Sequence, residues 1–300
     1  MNRVTNKLKD DFELLRPFTL LAPLFVSLCV MIASYTYTTT MSLSALALFR
    51  ILLPASICFA LLNGASNALN QAMDWREDKI SKPYRPIPKG TVSRKEAFIL
   101  SSILYSGAFA LSGTINTSFT GILCLIALFS ITYSVPPRIK KILILNQAWV
   151  AFPRGFLAIM GSWSVFGNPL QPLPLAMGCV AALFLFGGTA TKDILDAQAD
   201  KTVGTKTMVN VLGLRKTTFI SLCFMIAAFF LILPLVYLQI LQAIFLPLTL
   251  LIFFSGAIGW NMLHTRHNQT YENTSAWTLM YATYFIFALG FTVITIVFSS

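Results

Sequence analysis

The chain has 300 residues, of which 56% are hydrophobic and 11% are charged, and its mean hydropathy is +0.72. Soluble domains carry about 25% charged residues, so this composition excludes a water-soluble globular protein and indicates an integral membrane protein. The 22 Lys and Arg residues against 11 Asp and Glu residues leave a net charge of +11. In a soluble protein that excess suggests nucleic-acid binding, whereas in a membrane protein it is first tested as a bias of the connecting loops.

Membrane-spanning helices need about 20 consecutive apolar residues, because each residue adds about 1.5 Å and the hydrocarbon layer is about 30 Å thick. Nine segments meet or approach this length, and they cover about residues 17–37, 44–65, 97–112, 119–135, 142–165, 173–190, 217–236, 241–262 and 276–298. The seventh and eighth form one apolar run, which we expect to reverse near Pro234, Gln239 and Gln242. The predicted fold is all-α, with about nine transmembrane helices.

The basic residues are distributed unevenly along the chain. Of the 22, 20 lie in the N-terminal tail and the even-numbered connections, the last being Arg266, while Arg50 and Arg154 lie inside apolar segments. All 11 acidic residues lie on the same side as these 20. By the positive-inside rule we expect the N-terminus in the cytoplasm and the C-terminus outside, and for a prokaryotic host the membrane would be the cell inner or plasma membrane. Topology therefore accounts for the net charge, and we expect no nucleic-acid partner.

Two sets of oxygen-bearing side chains follow the second and sixth apolar segments. Asn70, Asp74 and Asp78 are spaced i, i+4 and i+8, and a second set is spaced i, i+3 and i+7 at Asp193, Asp196 and Asp200. Each set falls on one face of a helix at about 100° per residue. Neighbouring carboxylates repel one another unless a cation lies between them. Hard oxygen ligands of this kind suit Mg²⁺, which binds through one or two carboxylates together with substrate phosphates.

The surroundings of the two sets also resemble each other. Asp78-Lys79 and Asp200-Lys201 are each followed about 15 residues later by a basic pair, Arg94-Lys95 or Arg215-Lys216. This pattern predicts a single domain over residues 1–300, built from degenerate halves at about 17–135 and 142–298. Both loops are net basic, which favours a metal-bridged polyanion over a bare cation site, because a cation channel is usually ringed by acidic residues alone.

A site at the membrane edge that holds metals and a diphosphate, with apolar helices behind it, suits a lipid with a diphosphate head and a hydrocarbon tail. Bound metals would neutralise the departing diphosphate. An allylic tail would then carry positive charge, which the faces of aromatic rings stabilise. Among the 39 aromatic residues we single out Tyr133 for this role.

These motifs closely resemble those of a known family. The spacing of Asn70, Asp74 and Asp78, the continuation through Lys82–Gly90 and the second aspartate set about 120 positions later resemble the intramembrane prenyltransferases of the UbiA superfamily. The resemblance implies nine transmembrane helices around a central cavity with cytoplasmic caps. It also implies Mg²⁺-dependent transfer of a prenyl group from its diphosphate to a small aromatic or other lipid-precursor acceptor within the membrane lipid.

The resemblance implies roles for individual residues. Those expected to hold metal are Asn70, Asp74, Asp78, Asp193, Asp196 and Asp200. Those expected to bind the diphosphate are Asn70, Arg16, Arg85, Lys201 and Lys206, to which we add Arg154 because a charge inside an apolar segment usually faces a cavity. Those expected to act in catalysis are Asp74, Asp193, Tyr133, Arg138 and Lys140.

Two departures from the family pattern leave alternatives open. The family has a Tyr-x-x-x-Lys element at the end of the fourth helix, but here Pro137 occupies the lysine position, so Arg138 and Lys140 are equal candidates for its role. The context of Gln71 resembles homogentisate-type members, whereas Arg85–Pro88 resembles members that act on hydroxybenzoate, chlorophyllide or archaeal glycerol ethers. We expect an acceptor of the quinone-biosynthesis type, although these motifs do not identify it.

Other classes of function are less consistent with the motifs. A CDP-lipid phosphatidyltransferase also uses clustered aspartates at a membrane edge, but its Asp-Gly and Ala-Arg elements are missing here. A membrane carrier or binding protein for a metal or a phosphorylated lipid could use the same repeats. A carrier would need a path through the membrane, whereas these acidic residues all lie on one side.

Overall fold

The computed structural model describes residues 2–39, 43–264 and 274–299, so Arg266 lies outside the described residues. Within these ranges the regular structure is helical and contains no β-strand, as predicted. The α-helices are α1 Asn2–Leu14, α2 Pro17–Thr38, α3 Ala45–Met73, α4 Trp75–Ser81, α5 Pro86–Lys89, α6 Arg94–Ser112, α7 Thr117–Ser134, α8 Leu145–Ala151, α9 Ala158–Trp163, α10 Pro172–Gly188, α11 Asp193–Thr202, α12 Met208–Leu212, α13 Leu214–Phe230, α14 Ile232–Tyr237, α15 Ile252–Leu263 and α16 Ser275–Ser299. Turns of 3₁₀-helix cover Ile139–Lys141, Thr189–Lys192 and Ala243–Leu251, and a π-helical turn covers Phe152–Leu157.

Seven helical stretches among the described residues are long and apolar enough to cross a membrane. They cover Pro17–Thr38, Ala45–Met73, Thr117–Ser134, Pro172–Gln198, Leu214–Tyr237, Ala243–Leu263 and Ser275–Val297. The two other predicted segments correspond to α6 and to the region from α8 to α9. The predicted count of nine is therefore not confirmed. In α6 the first turn carries Arg94, Lys95 and Glu96, which shortens its apolar part.

The predicted segment at about 142–165 is not one regular α-helix. Between α8 and α9 the helix widens into the π-helical turn that contains Pro153, which has no amide hydrogen to donate and would crowd a regular helix. At Gly155, an added Cβ would lie 2.6 Å from both N and Cα of Ala182, so glycine is needed where this turn meets α10. This close packing fixes the position of the neighbouring Arg154.

The outer faces of the helices carry large apolar side chains. Phe219, Phe253 and Leu250 are exposed, as expected for helix faces that contact hydrocarbon. Such faces need no polar partner, since the backbone N–H and C=O groups of a membrane helix hydrogen-bond to each other within the helix. The predicted reversal between the seventh and eighth segments is confirmed: α14 ends at Tyr237 and the next turn of helix begins at Ala243.

One end of the bundle carries the short helices and the polar motifs. Each acidic set follows a long helix, since α3 leads into α4 and α10 leads into α11 through a 3₁₀ turn. Helix α1 packs at this end: Gln71 donates its Nε2 hydrogen to the carbonyl of Leu14 at 2.7 Å, and Lys7 forms an ion pair with Glu96 at 2.9 Å. Gln71 is thus a structural anchor for α1. The division into two related halves stays a prediction.

Candidate active site

Both predicted acidic sets line a single cavity of about 300 Å³. The site residues predicted from sequence that line it are Arg16, Asn70, Asp74, Asp78, Arg85, Tyr133, Lys140, Arg154, Asp193, Asp196 and Asp200. The lining includes six basic and six acidic side chains, so the cavity is close to neutral overall. Lys201 and Lys206 are exposed and are not part of the lining. Arg138 reaches the site through its contacts with lining residues.

The first acidic set spans a break between two helices. Asn70 lies in the last turn of α3, Asp74 caps that helix, and Asp78 lies in α4. The backbone amide of Asp78 still donates to the carbonyl of Asp74 at 2.8 Å, which keeps the break narrow. The set therefore faces one cavity, as predicted, although it does so from two helices rather than from one continuous face.

Asp74 is held by two cations. The Arg138 Nη2 atom donates to its Oδ1 at 2.5 Å, and Lys140 donates to its Oδ2 as well as to the Asn70 Oδ1 at 3.0 Å. Arg138 also contacts Glu77 at 3.1 Å. Burial lowers the pKa of Lys140, and the Asp74 carboxylate opposes that effect. Neither Arg138 nor Lys140 is therefore excluded from the role of the family's lysine, because both contact the Asp74 carboxylate.

Asp78 is fixed by Arg85. The Nη1 atom of Arg85 lies 2.9 Å from each oxygen of the Asp78 carboxylate, and both side chains are buried. Burial raises the pKa of Asp78, although the charges of Arg85 and Lys82 act in the opposite direction. Arg85 therefore lines the cavity as the ion-pair partner of an aspartate of the first set.

The second acidic set is supported by amides and by a lysine from the opposite motif. The Asp193 Oδ2 atom accepts hydrogen bonds from the side chains of Asn146 and Gln147, each at 3.2 Å. Asp196 is paired with Lys82, with 2.6 Å between Nζ and Oδ1. Asp200, farther along α11, has its pKa raised to about 7, first by burial and then by Asp193 and Asp196.

Tyr133 lies at the centre of a polar cluster. Its hydroxyl donates to the Asn146 Oδ1 at 2.8 Å and accepts from the Lys192 Nζ at 2.7 Å. The same Lys192 Nζ lies 5.1 Å from the centroid of the Tyr133 ring. Sequence reasoning missed Lys192, Asn146 and Gln147. Lys192 could have been found from its position directly before Asp193. No sequence signal pointed to Asn146 and Gln147, which lie near the start of an apolar segment.

Arg154 and Arg16 line the cavity with different surroundings. Arg154 donates from Nη1 to the Tyr281 hydroxyl at 3.2 Å and from Nη2 to the Asn63 Oδ1 at 3.4 Å. Arg16 lies between α1 and α2 with a left-handed backbone (φ 54°), and its guanidinium is 5.9 Å from the ring centroid of Phe18. Arg50 is exposed and is not part of the lining.

The oxygen ligands of the cavity fit a divalent cation only together with an anionic ligand. Within the described residues, no three Asp, Glu, His or Cys side chains are arranged to hold a metal by themselves. Asp74 and Asp196 each contact a basic side chain. Mg²⁺ is commonly bound by one or two carboxylates and the phosphates of a substrate. Asp200 has its pKa raised to about 7, first by burial and then by the charges of Asp193 and Asp196.

The fold and the cavity define a polytopic helical membrane protein with acidic and basic side chains gathered around one site. The sequence profile of the UbiA prenyltransferase family matches residues 20–289. The chain belongs to that family, which confirms the family predicted from the motifs.

Several relatives can be compared along the chain. It is 28% identical over 242 residues to the probable homogentisate phytyltransferase 2 of Oryza sativa subsp. japonica, with 76% of this chain and 64% of that protein covered. It is 30% identical over 236 residues to the digeranylgeranylglyceryl phosphate synthase of Methanococcoides burtonii, with 77% of this chain and 81% of that protein covered. The chain thus spans slightly less than two thirds of the rice relative.

Solved structures share the fold. A UbiA homologue from Archaeoglobus fulgidus bound to DMAPP and Mg²⁺ matches with a TM-score of 0.72 and 16% identity, covering 96% of this chain and 99% of that one. An apo UbiA homologue from Aeropyrum pernix K1 matches with a TM-score of 0.71 and 19% identity, covering 91% and 97%. These similarities confirm the predicted all-α membrane fold.

Proposed function

We propose that the protein catalyses Mg²⁺-dependent transfer of a prenyl group from a prenyl diphosphate to a small lipid-precursor acceptor. The observation that carries the proposal is the convergence of both aspartate sets on one cavity whose remaining walls include Phe59, Trp149 and Tyr284. A charged end and an apolar, aromatic body match the two parts of a prenyl diphosphate.

The chain's own side chains would bind and orient the diphosphate. Lys82, Lys140 and Arg138 lie against carboxylates at the charged end, where their N–H groups would be within reach of the phosphate oxygens of a bound diphosphate. When bound, Mg²⁺ supplies Lewis-acid neutralisation of the negative charge on the diphosphate. Asn70, Asp74 and Asp78 would form one side of its binding site, and Asp193, Asp196 and Asp200 would form the other.

The reaction breaks the bond between prenyl C1 and the diphosphate oxygen, and the electron pair leaves with the diphosphate. A nucleophilic atom of the acceptor forms the new bond to C1 and gives up a proton. The Tyr133 ring lies beside Lys192, the residue that precedes Asp193, where its face could stabilise positive charge at C1. Apolar walls would exclude water, which otherwise competes with the acceptor.

We also propose that the charged end of the bundle faces the cytoplasm, with the N-terminus on that side and the C-terminus outside. The support is the loop charge bias, since 20 of 22 basic residues lie on this side. The single domain would contain two degenerate halves, each contributing one aspartate set. An acceptor of the quinone-biosynthesis type stays a prediction, since the relatives' names include both an aromatic and a glyceryl phosphate substrate.

The direct test uses purified protein with Mg²⁺, a panel of prenyl diphosphates and candidate acceptors, with diphosphate release and prenylated product measured together. We expect release only when an acceptor is present, loss of release on chelation of Mg²⁺, and recovery when Mg²⁺ is restored. Equal diphosphate release without any acceptor would contradict the proposal. Binding without product in all combinations would favour the carrier alternative. Mass spectrometry of lipids from cells with and without the protein would identify the natural acceptor.

A further inference from the structure

Arg154 differs from four other basic residues of the cavity lining in its hydrogen-bond partners. Its two hydrogen-bond partners, the Tyr281 hydroxyl and the Asn63 amide oxygen, are both neutral. No carboxylate of the described residues lies within 4.0 Å of its guanidinium. Four other basic residues of the lining each lie within 4.0 Å of an aspartate, and they are Lys82, Arg85, Lys140 and Lys192.

The Arg154 side chain is exposed and lines the cavity. The residue lies in the π-helical turn inside an otherwise apolar segment. A charge at such depth is unfavourable in hydrocarbon and usually faces a cavity or an oppositely charged partner. Because its two protein partners are neutral and the side chain is exposed, Arg154 keeps N–H donors available for an anionic group of a bound ligand.

That ligand group is separate from the diphosphate. Asn63, which contacts Arg154, precedes Asn70 by seven residues in α3, and this spacing corresponds to about 10 Å along the helix axis. A diphosphate held at Asn70 would therefore lie about two turns of α3 away from the Asn63 that contacts Arg154. The interval leaves room for prenyl C1 and for the acceptor atom that attacks it.

The surroundings of Arg154 suit an acceptor with a ring as well as a charge. Trp277, Tyr281 and Tyr284 line the cavity from α16, and the ring centroids of Trp277 and Tyr281 are 4.3 Å apart. The Tyr284 hydroxyl donates to the backbone carbonyl of Arg154 at 2.9 Å, which ties this aromatic wall to the arginine. Rings of this kind pack against flat ligands, and a guanidinium pairs well with carboxylate or phosphate.

We infer that Arg154 binds an oxyanion, a carboxylate or a phosphate, on the prenyl acceptor and thereby selects anionic acceptors over neutral ones. This inference rests on the proposed prenyl transfer and replaces the predicted contact of Arg154 with the diphosphate. Arg154 is a specificity-determining residue that does not touch the departing group.

The test compares acceptor pairs that differ only in charge. One pair is homogentisate and its methyl ester, and the other is a prenylglyceryl phosphate and the same glycerol ether without phosphate. Rates are measured for the wild type, Arg154→Gln, Arg154→Lys and Arg50→Gln, the last being a control arginine outside the cavity. The two pairs distinguish a carboxylate from a phosphate as the group that is recognised.

For Arg154→Gln we expect the acceptor KM of the anionic substrate to rise about tenfold or more, as for loss of a charged hydrogen bond. The KM for the prenyl diphosphate should stay constant, Arg154→Lys should recover part of the preference, and Arg50→Gln should match the wild type. The preference is the ratio of the rates with the anionic and the neutral acceptor, measured in one preparation. Poor folding lowers both rates and leaves this ratio unchanged.

Several results would overturn the inference. One is a wild type that uses the neutral acceptor of both pairs as well as the anionic one. The others are an Arg154→Gln variant with an unchanged preference for the anionic acceptor, or one in which only the KM for the prenyl diphosphate rises. In these cases prenyl transfer itself would stand. Diphosphate release without any acceptor would instead remove the proposed function and this inference with it.

Discussion

Lys82 and Asp196 form an ion pair across the cavity, with 2.6 Å between Nζ and Oδ1, although they are separated by 114 residues in sequence. Lys82 follows the first acidic set and Asp196 belongs to the second. The pair therefore joins the two motif-bearing regions directly and places a lysine where both sets meet. A ligand that draws Asp196 to a metal would free Lys82 to bind the ligand's phosphate oxygens.

Lys82→Met should weaken prenyl diphosphate binding. The variant keeps much of the aliphatic length and removes the charge that reaches Asp196, so we expect the KM for the prenyl diphosphate to rise about tenfold with a smaller change in kcat. Steady-state kinetics at saturating acceptor measures both quantities. Lys79→Met is the matched control, since Lys79 lies three residues before Lys82, in α4, but is exposed and outside the cavity. An unchanged KM in Lys82→Met would show that this lysine has only a structural role.

Asp74→Asn and Asp193→Asn should each abolish most turnover. The amide has nearly the shape of the carboxylate but cannot neutralise a divalent cation, so we expect losses of about 100-fold or more in kcat. Asp74 also balances Lys140 and Arg138, and its variant should have a lower melting temperature than Asp193→Asn.

The check for these two variants is product formation at equal amounts of membrane-extracted protein. Asp11→Asn, on α1 outside the cavity, serves as the control for a surface carboxylate and should retain activity. Full activity in either Asp74→Asn or Asp193→Asn would be incompatible with the assignment of the two aspartate sets.

The convergence of the aspartate sets was predictable because a membrane restricts where charged residues can lie. Charged residues are excluded from hydrocarbon, so motifs that leave the bilayer on the same side are brought to the same end of the bundle. Spacing within a helix then placed Asn70 near Asp74, and the same rule placed Asp193 near Asp196. The structure confirms that both sets face one cavity.

The pairing of individual charges was not predictable from spacing. Lys82 meets Asp196 rather than an acid of its own loop, and Asn146 and Gln147 meet Asp193 from the start of a segment that reads as apolar. These contacts depend on how separate helices pack, which periodicity within one helix does not describe. The number of membrane-spanning helices was also not predictable with certainty, since amino-acid composition does not define exactly where a span ends.

The role of Tyr133 can be divided between its ring and its hydroxyl. If the ring face stabilises positive charge at prenyl C1, Tyr133→Phe should keep most activity while Tyr133→Leu should lose about tenfold in kcat. Loss of the hydroxyl alone removes the hydrogen bonds to Asn146 and Lys192. Equal losses in both variants would assign the effect to those bonds. Single-turnover measurement of product formation separates the chemical step from product release.

Gly155→Ala tests whether the close approach of the π-helical turn to α10 supports the site. The added Cβ would lie 2.6 Å from backbone atoms of Ala182, which cannot move as a flexible side chain would. We expect a loss of about 1–3 kcal/mol in stability, typical of overpacking, together with weaker acceptor use because Arg154 is the preceding residue. Gly256→Ala is the control, since no atom lies within 4 Å of its added Cβ. Thermal unfolding in detergent should show a lower midpoint for Gly155→Ala only, and equal midpoints for the two variants would refute a tight contact at this turn.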